Sequence, residues 1–341
     1  MGSARKLVYF ENFNKIIQLD WLVKGILAKG HSSHLFGPPG SGKSGLIGSM
    51  AVHLGAGSAH WHGFKIPEKR ASVYFAFERA DLVQKRIWAE AARDGLDDIP
   101  VAVCPGIINL MDPKCVKEIV GTMLAAEDRF GIEAGLGIFD TFNKGIATGG
   151  GDENQAKDQN RAWGHLRHVH ELMQRYHSVH LVGVGHTGKD ESRGSRGSNA
   201  GEGDNDVEFQ VSKDGDIKAV AINKANELPE GPLMRFKMGP FDTDLKDQDG
   251  DPIEVWIPGR ETLAASKVEN AGPKLTKNQQ TMYSILRDAG QGGLTAEQWN
   301  EKLREVGIGV KRKADIYDNR TGLLNKRLVR EFNGNWTAST T

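Results

Sequence analysis

The sequence predicts an α/β domain with a mostly parallel sheet extended by antiparallel strands, followed by a small domain of three helices and a hairpin. Two observations predict the first domain. Short apolar runs alternate with helical patterns from about residue 33 to residue 185, the signature of strand–helix–strand crossovers. Four strand patterns joined by short turns then follow, up to residue 257. A third observation sets off the second domain: a polar stretch ending in Pro273 separates this body from a segment with its own helical period.

The bulk properties fit such a chain. Its 341 residues suffice for a large core and a second domain. Glycine, at 42 residues, clusters in loops where backbone must approach a ligand closely. There is no run of eighteen apolar residues and no hydrophobic leader, so the expectation is a cytoplasmic protein without a membrane partner. Cys104 and Cys115 are too few for a zinc or disulfide framework and read as inert thiols in or near the core. The net charge is zero, but residues 274–341 hold twelve Lys/Arg against seven Asp/Glu. A basic tail on an acidic body suggests contact with nucleic acid, an ordinary solvated surface being the alternative.

In chain order, a lead-in over residues 1–30 precedes the first strand at 33–36. A Gly-rich loop and a helix at 43–54 come next, then an apolar strand at 71–77 ending in Glu78 and a helix to residue 92 capped by Asp81. Further strands are expected at 99–104, 135–142 and 179–185. They are separated by a helix at 113–127, a loop at 143–151 whose three terminal glycines resist helix, and a long helix at 152–176. A polar loop occupies 187–205, and strands at 207–211, 217–223, 234–238 and 254–257 extend the sheet. The body therefore spans 31–261, a linker 262–276 and the second domain 277–341. There, helices at 278–289, 295–306 (opened by the capping box Thr295 to Gln298) and 311–325 precede a hairpin turning at Asn333-Gly334, the pattern of a winged helix.

One motif dominates the chemistry. Gly37-Pro38-Pro39-Gly40-Ser41-Gly42-Lys43-Ser44 fits G-x-x-x-x-G-K-[ST], between a strand and a helix that begins Lys43-Ser44-Gly45. Its glycines allow backbone N–H groups to turn inward around a polyphosphate, Lys43 places a charge against the terminal phosphates, and the Ser44 hydroxyl suits Mg²⁺. ATP and Mg²⁺ are thus the expected cofactors. Asp140, ending an apolar strand, is the expected second metal-side carboxylate. The residue after it is Thr141, so the water-activating base must come from elsewhere. Glu78 is the candidate, because parallel strands open their carboxyl ends onto one edge; a solvated surface Glu is the rival reading. His186, at the end of the next strand, is either a sensor of the terminal phosphate or a capping histidine. Lys189, Arg193, Arg196 and Lys224 are candidates to reach a neighbouring subunit's nucleotide, with DNA contact or plain solvation as alternatives.

These motifs in this order resemble the RepA-like branch of the RecA-fold P-loop ATPases, the hexameric replicative helicases of plasmids and phages. The resemblance rests on the lead-in from Trp21 to Leu27, the phosphate loop, Phe75-Ala-Phe-Glu78 and Ile138-Phe-Asp140-Thr141. It continues through Gly150-Gly-Asp-Glu-Asn154, Val184-Gly-His186-Thr-Gly-Lys189 and Arg196-Gly-Ser-Asn-Ala200, covering about residues 16–260. It implies that Glu78 polarises water, Asp140 holds Mg²⁺, His186 couples the terminal phosphate to DNA loops, and Arg196 serves the next subunit. Lys224 falls in the family's K-x-R element, which here reads Lys224-Ala225-Asn226. The implied activity is that of a DNA-stimulated ATPase, a ring-forming helicase with single-stranded DNA in a central channel touched by residues 144–151 and 188–205. The winged helix would add duplex contacts through its third helix and through Arg330 or Asn335, a purely protein-docking module being the alternative. An ATP-gated DNA-binding loader or regulator without unwinding activity is the alternative.

Overall fold

The computed structural model describes residues 9–10, 19–186, 205–260, 275–290, 293–310, 312, 314–326, 328–332 and 334–338. The chain divides into two compact units, Met1–Ala265 and Ser266–Thr341.

The first unit opens with a small hairpin, β1 (Trp21–Val23) and β2 (Leu27–Ala28), and the first sheet strand, β3 (Ser32–Gly37). Helix α1 (Lys43–Ala56) follows, then the ribbon β4 (His60–Trp61) and β5 (Phe64–Lys65). Next come β6 (Ala71–Ala76), α2 (Ala80–Arg93), β7 (Val101–Pro105), α3 (Cys115–Phe130) and β8 (Ala134–Asp140). Helices α4 (Phe142–Thr148) and α5 (Ala156–Met173) lead to β9 (His180–His186). The strands β10 (Val207–Asp214), β11 (Ile217–Ala225), β12 (Gly231–Lys246) and β13 (Pro252–Pro258) complete the unit.

One nine-stranded sheet holds it together, in the order β13-β12-β11-β10-β3-β9-β8-β6-β7. Pairing is parallel from β10 through β7 and antiparallel from β10 to β13, as the sequence pattern predicts. Helices cover both faces of the central strands, so these strands are buried throughout, with alternate residues facing opposite helix layers. On β6, Tyr74 and Ala76 join Leu46, Ile47 and Met50 of α1, while Val73 and Phe75 join Ile119 and Met123 of α3 and Trp163 of α5.

Several expectations are corrected. The loop expected at 143–151 contains helix α4, because Phe142 and Ile146, four residues apart, both drop into the core. The helix ends where the three glycines begin, Gly150 having φ 75°. Helix α5 starts at Ala156 rather than 152, since Asp152 accepts the Asn154 N–H at 2.9 Å and holds a turn. Asp81 does not cap α2: Arg79 occupies that position in the left-handed conformation, φ 48°, and Asp81 lies in the first turn, favourable to the helix dipole. The strand expected at 234–238 is the sixteen-residue β12.

The second unit contains helices Lys277–Asp288, Ala296–Glu305 and Ala314–Asn325 and a three-stranded antiparallel sheet. That sheet pairs Leu294–Thr295, a strand the sequence pattern had not suggested, with Asn335–Ala338, which also pairs with Val329–Phe332. Two buried tryptophans, Trp299 and Trp336, anchor its core with Met282, Leu286, Leu303 and Leu323. The Thr295–Gln298 capping box forms, and a second joins Thr276 to Gln279. The third helix starts at Ala314, so Arg312 precedes it; Lys311 and Lys313 lie outside the described residues.

Candidate functional site

The phosphate loop connects β3 to α1 along the carboxyl edge of the sheet. Gly40 and Gly42 adopt φ 68° and 87°, which an L side chain rarely takes, so both positions require glycine. The Lys43 ammonium folds over the loop, donating to Gly37 O at 2.8 Å and Pro38 O at 3.0 Å. Burial pushes its pKa down to about 8; the Asp140 charge opposes this and the Lys213 charge adds to it.

Neighbouring strands bring the remaining residues to the loop. Gly37 pairs with His186 at the end of β9, Val184 with Asp140 at the end of β8, and Asp140 with Ala76 at the end of β6. Glu78 follows two residues later, its backbone N–H bonded to Asp140 O at 3.2 Å. Its carboxylate accepts the Thr141 hydroxyl at 3.2 Å. Glu78 is therefore half-buried and braced, unlike a freely solvated surface carboxylate.

Asp140 is 4 % exposed and hydrogen-bonded by the Tyr74 hydroxyl and by Ser44. Burial raises its pKa, and the Ser44, Tyr74 and Lys43 interactions hold that rise back. The contact between a serine hydroxyl and a carboxylate at the mouth of a phosphate loop forms a hard-oxygen donor pair that fits Mg²⁺.

A cleft of about 570 Å³ unites these groups. Pro39, Gly40, Ser41, Gly42, Lys43, Ser44, Glu78, Asp140 and His186 all line it, so most of the residues proposed from sequence meet in one place. Gly37, Pro38 and Gly45 do not line the cleft, and Gly37 is closely confined: a Cβ there would run into Val211 O. Arg193, Arg196 and Lys189 lie outside the described residues. Lys224 does not reach the cleft: it pairs with Glu208, level with His34 of β3 and away from the loop.

Sequence reasoning missed other members of the site. Tyr74 points inward from a buried strand, where its alternation looks like ordinary core. Arg79 and Arg86 line the cleft from α2, and Lys218, Met238 and Trp256 line it from the antiparallel extension. Trp256 is 53 % exposed, whereas its strand neighbours Val255 and Ile257 are buried against Ala89 of α2. In the sequence Val255-Trp256-Ile257 is an unbroken apolar run, so nothing there marks Trp256 as the residue that turns to the cleft. The cysteines are as expected: Cys115 is buried, with its thiol pushed up to about 11, and Cys104 is half-buried and also raised.

Among the described residues, no helix is long and apolar enough to cross a membrane. No curated protein matches the chain. The family model described as AAA domain (AAA_25) matches residues 7–192, a span that includes the phosphate loop, Glu78, Asp140 and His186. The chain thus belongs to the AAA domain family, and it is a nucleotide-binding P-loop ATPase.

Proposed function

We propose that this ATPase is a DNA-stimulated, ring-forming motor of the RepA-like helicase type, active in replication of a plasmid, phage or other mobile element. One observation carries the reading: the ends of four adjacent strands bring Lys43, Ser44, Glu78, Asp140 and His186 to one cleft, in the order that this branch's motifs follow. Lys43 neutralises the terminal phosphates, and Glu78, steadied by Thr141, takes a proton from the attacking water. Ser44 and Asp140 would hold Mg²⁺, which supplies charge neutralisation on the phosphate oxygens when bound. His186 faces the same space from β9 and passes the state of the terminal phosphate to the segment after it. Trp256 lines the cleft and offers its ring to the base, so nucleotide should quench tryptophan fluorescence in wild type and much less in Trp256→Ala.

Oligomerisation to a hexamer and single-stranded DNA in a central channel belong to this proposal, as do Arg196 or Arg193 reaching a neighbour's nucleotide. The second unit is read as a winged helix from its order of helix, short strand, two helices and hairpin. The test is the ATPase rate with and without single- and double-stranded DNA, with mass measured under the same conditions. Stimulation by DNA in an oligomer is expected; a monomer indifferent to DNA would sink the idea.

The alternative, an ATP-gated loader or regulator, has one observation in its favour. The outward residues of helix Ala314–Asn325 include Tyr317, Asp318 and Leu324, and the nearby Arg312 is paired with Asp315 and Asp318. Such a face suits a protein partner better than phosphates. Fork unwinding that is lost in Lys43→Ala would decide for the motor.

A further inference from the structure

The β10–β11 hairpin carries an arrangement that the phosphate loop does not explain. β10 pairs with β3 only as far as Gln210 opposite Phe36, and then continues to Asp214. Four further residues carry it about 13 Å beyond that pairing, alongside the phosphate loop. The contact is close: a Cβ on Gly37 would meet Val211 O, and a Cβ on Gly40 would lie 3.1 Å from Lys213 Nζ.

Across the hairpin, Lys213 is paired directly with Lys218. Opposed residues of an antiparallel pair project from the same face with Cβ atoms about 5 Å apart, and like charges in that position destabilise a sheet. Lys218 lines the nucleotide cleft, its ammonium donating to Gly215 O at 3.0 Å, and Lys213 is close enough for its charge to bear on Lys43. The other charges around the hairpin tip include the exposed Asp216. The residues lining the cleft already include Lys43, Arg79, Arg86 and Lys218 against the two carboxylates Glu78 and Asp140. A repulsive lysine pair over a loop already rich in cations is a poor way to stabilise a hairpin. It is a good way to hold a polyanion.

We infer that Lys213 and Lys218 form a second phosphate-binding element, which clamps the terminal phosphates of a nucleoside triphosphate bound in the same subunit. The inference rests on the nucleotide reading of the cleft and adds to it a cation source in cis. The clamp discriminates triphosphate from diphosphate, because the added charge of the γ-phosphate is what relieves the lysine–lysine repulsion.

The test is the affinity of the full-length protein for Mg-ATP and Mg-ADP in wild type, Lys213→Ala, Lys213→Arg and the Lys213→Ala/Lys218→Ala double variant. The double variant should lose about tenfold in ATP affinity and much less for ADP, while Lys213→Arg retains most of the affinity. Loss of both nucleotides alike, or of neither, would overturn the clamp. A wild-type protein that binds neither nucleotide would overturn the cleft reading itself. Mixing settles cis against trans: if Lys43→Ala subunits, which keep both hairpin lysines, restore turnover to the double variant, the lysines serve a neighbour and the inference fails. No restoration is expected.

Discussion

The balance of charge around Asp140 decides what the site can do at the level of single residues. A carboxylate this buried would tend to stay protonated, yet a metal-side carboxylate must be ionised. Tyr74 and Ser44 supply hydrogen bonds, and Lys43 supplies charge, that favour the ionised form. Tyr74→Phe removes one of these donors with little change in packing, so ATP turnover at limiting Mg²⁺ should fall about tenfold, with far-UV circular dichroism unchanged. Added Mg²⁺ should recover part of the loss, whereas full activity at every Mg²⁺ level would exclude a role for the tyrosine. Lys43 gives a pH prediction whose sign differs for stability and binding. Its folded pKa of about 8 lies below the unfolded value near 10.5, so the unfolded chain holds more protons between them and this residue's contribution to stability rises with pH across that window. Binding runs the other way. The ammonium that meets phosphate is lost as pH climbs through about 8, so ATP affinity should decline there, and Lys43→Arg should show no such decline. An affinity profile flat through pH 8 in wild type would refute this.

Elements explain which parts of this design could be read from sequence. The strand ends bearing Asp140, His186 and the phosphate loop were legible because buried parallel strands are short apolar runs and their carboxyl ends share one edge. The antiparallel extension was legible as strands but not as part of the site, because pairing register and strand length bring Lys218 and Trp256 to the cleft and Lys213 beside the phosphate loop, and neither is encoded by alternation. Arg93 helps to hold that roof, bonded to Glu90 at 2.6 Å, to Asp94 and to the Pro258 carbonyl, while Arg260 reaches back to Asp94. These contacts join α2 to the end of β13 over a sequence separation that no local pattern reveals. Helix α4 was missed because its neighbouring glycines obscure a single buried turn built on Phe142 and Ile146. The capping boxes, by contrast, are local chemistry, and Thr295 with Gln298 forms the expected reciprocal pair. Thr295→Ala should therefore destabilise the second unit by about 1 kcal/mol, measured by denaturant unfolding, with ATP turnover in the absence of DNA unaffected.

The whole molecule consists of two units with separate hydrophobic cores, the first formed by a cluster on each face of the nine-stranded sheet and the second built on Trp299 and Trp336. Each core makes its unit a candidate cooperative folding unit, and the nucleotide cleft belongs entirely to the first. Ligand linkage then gives a selective expectation. Nucleotide at a hundred times its dissociation constant stabilises the unit that binds it by about 2.7 kcal/mol. For a domain of this size that corresponds to a rise in midpoint of about 5–10 °C. Calorimetry of the full chain should show this rise in one transition only, and Lys43→Ala should abolish it. Thr295→Ala should lower the other transition and leave the nucleotide-dependent one in place. If Mg-ATP moved both transitions equally, the two cores would be acting as one cooperative body, and the second unit would have to be counted part of the ATP-responsive machinery rather than a separately folded attachment to it.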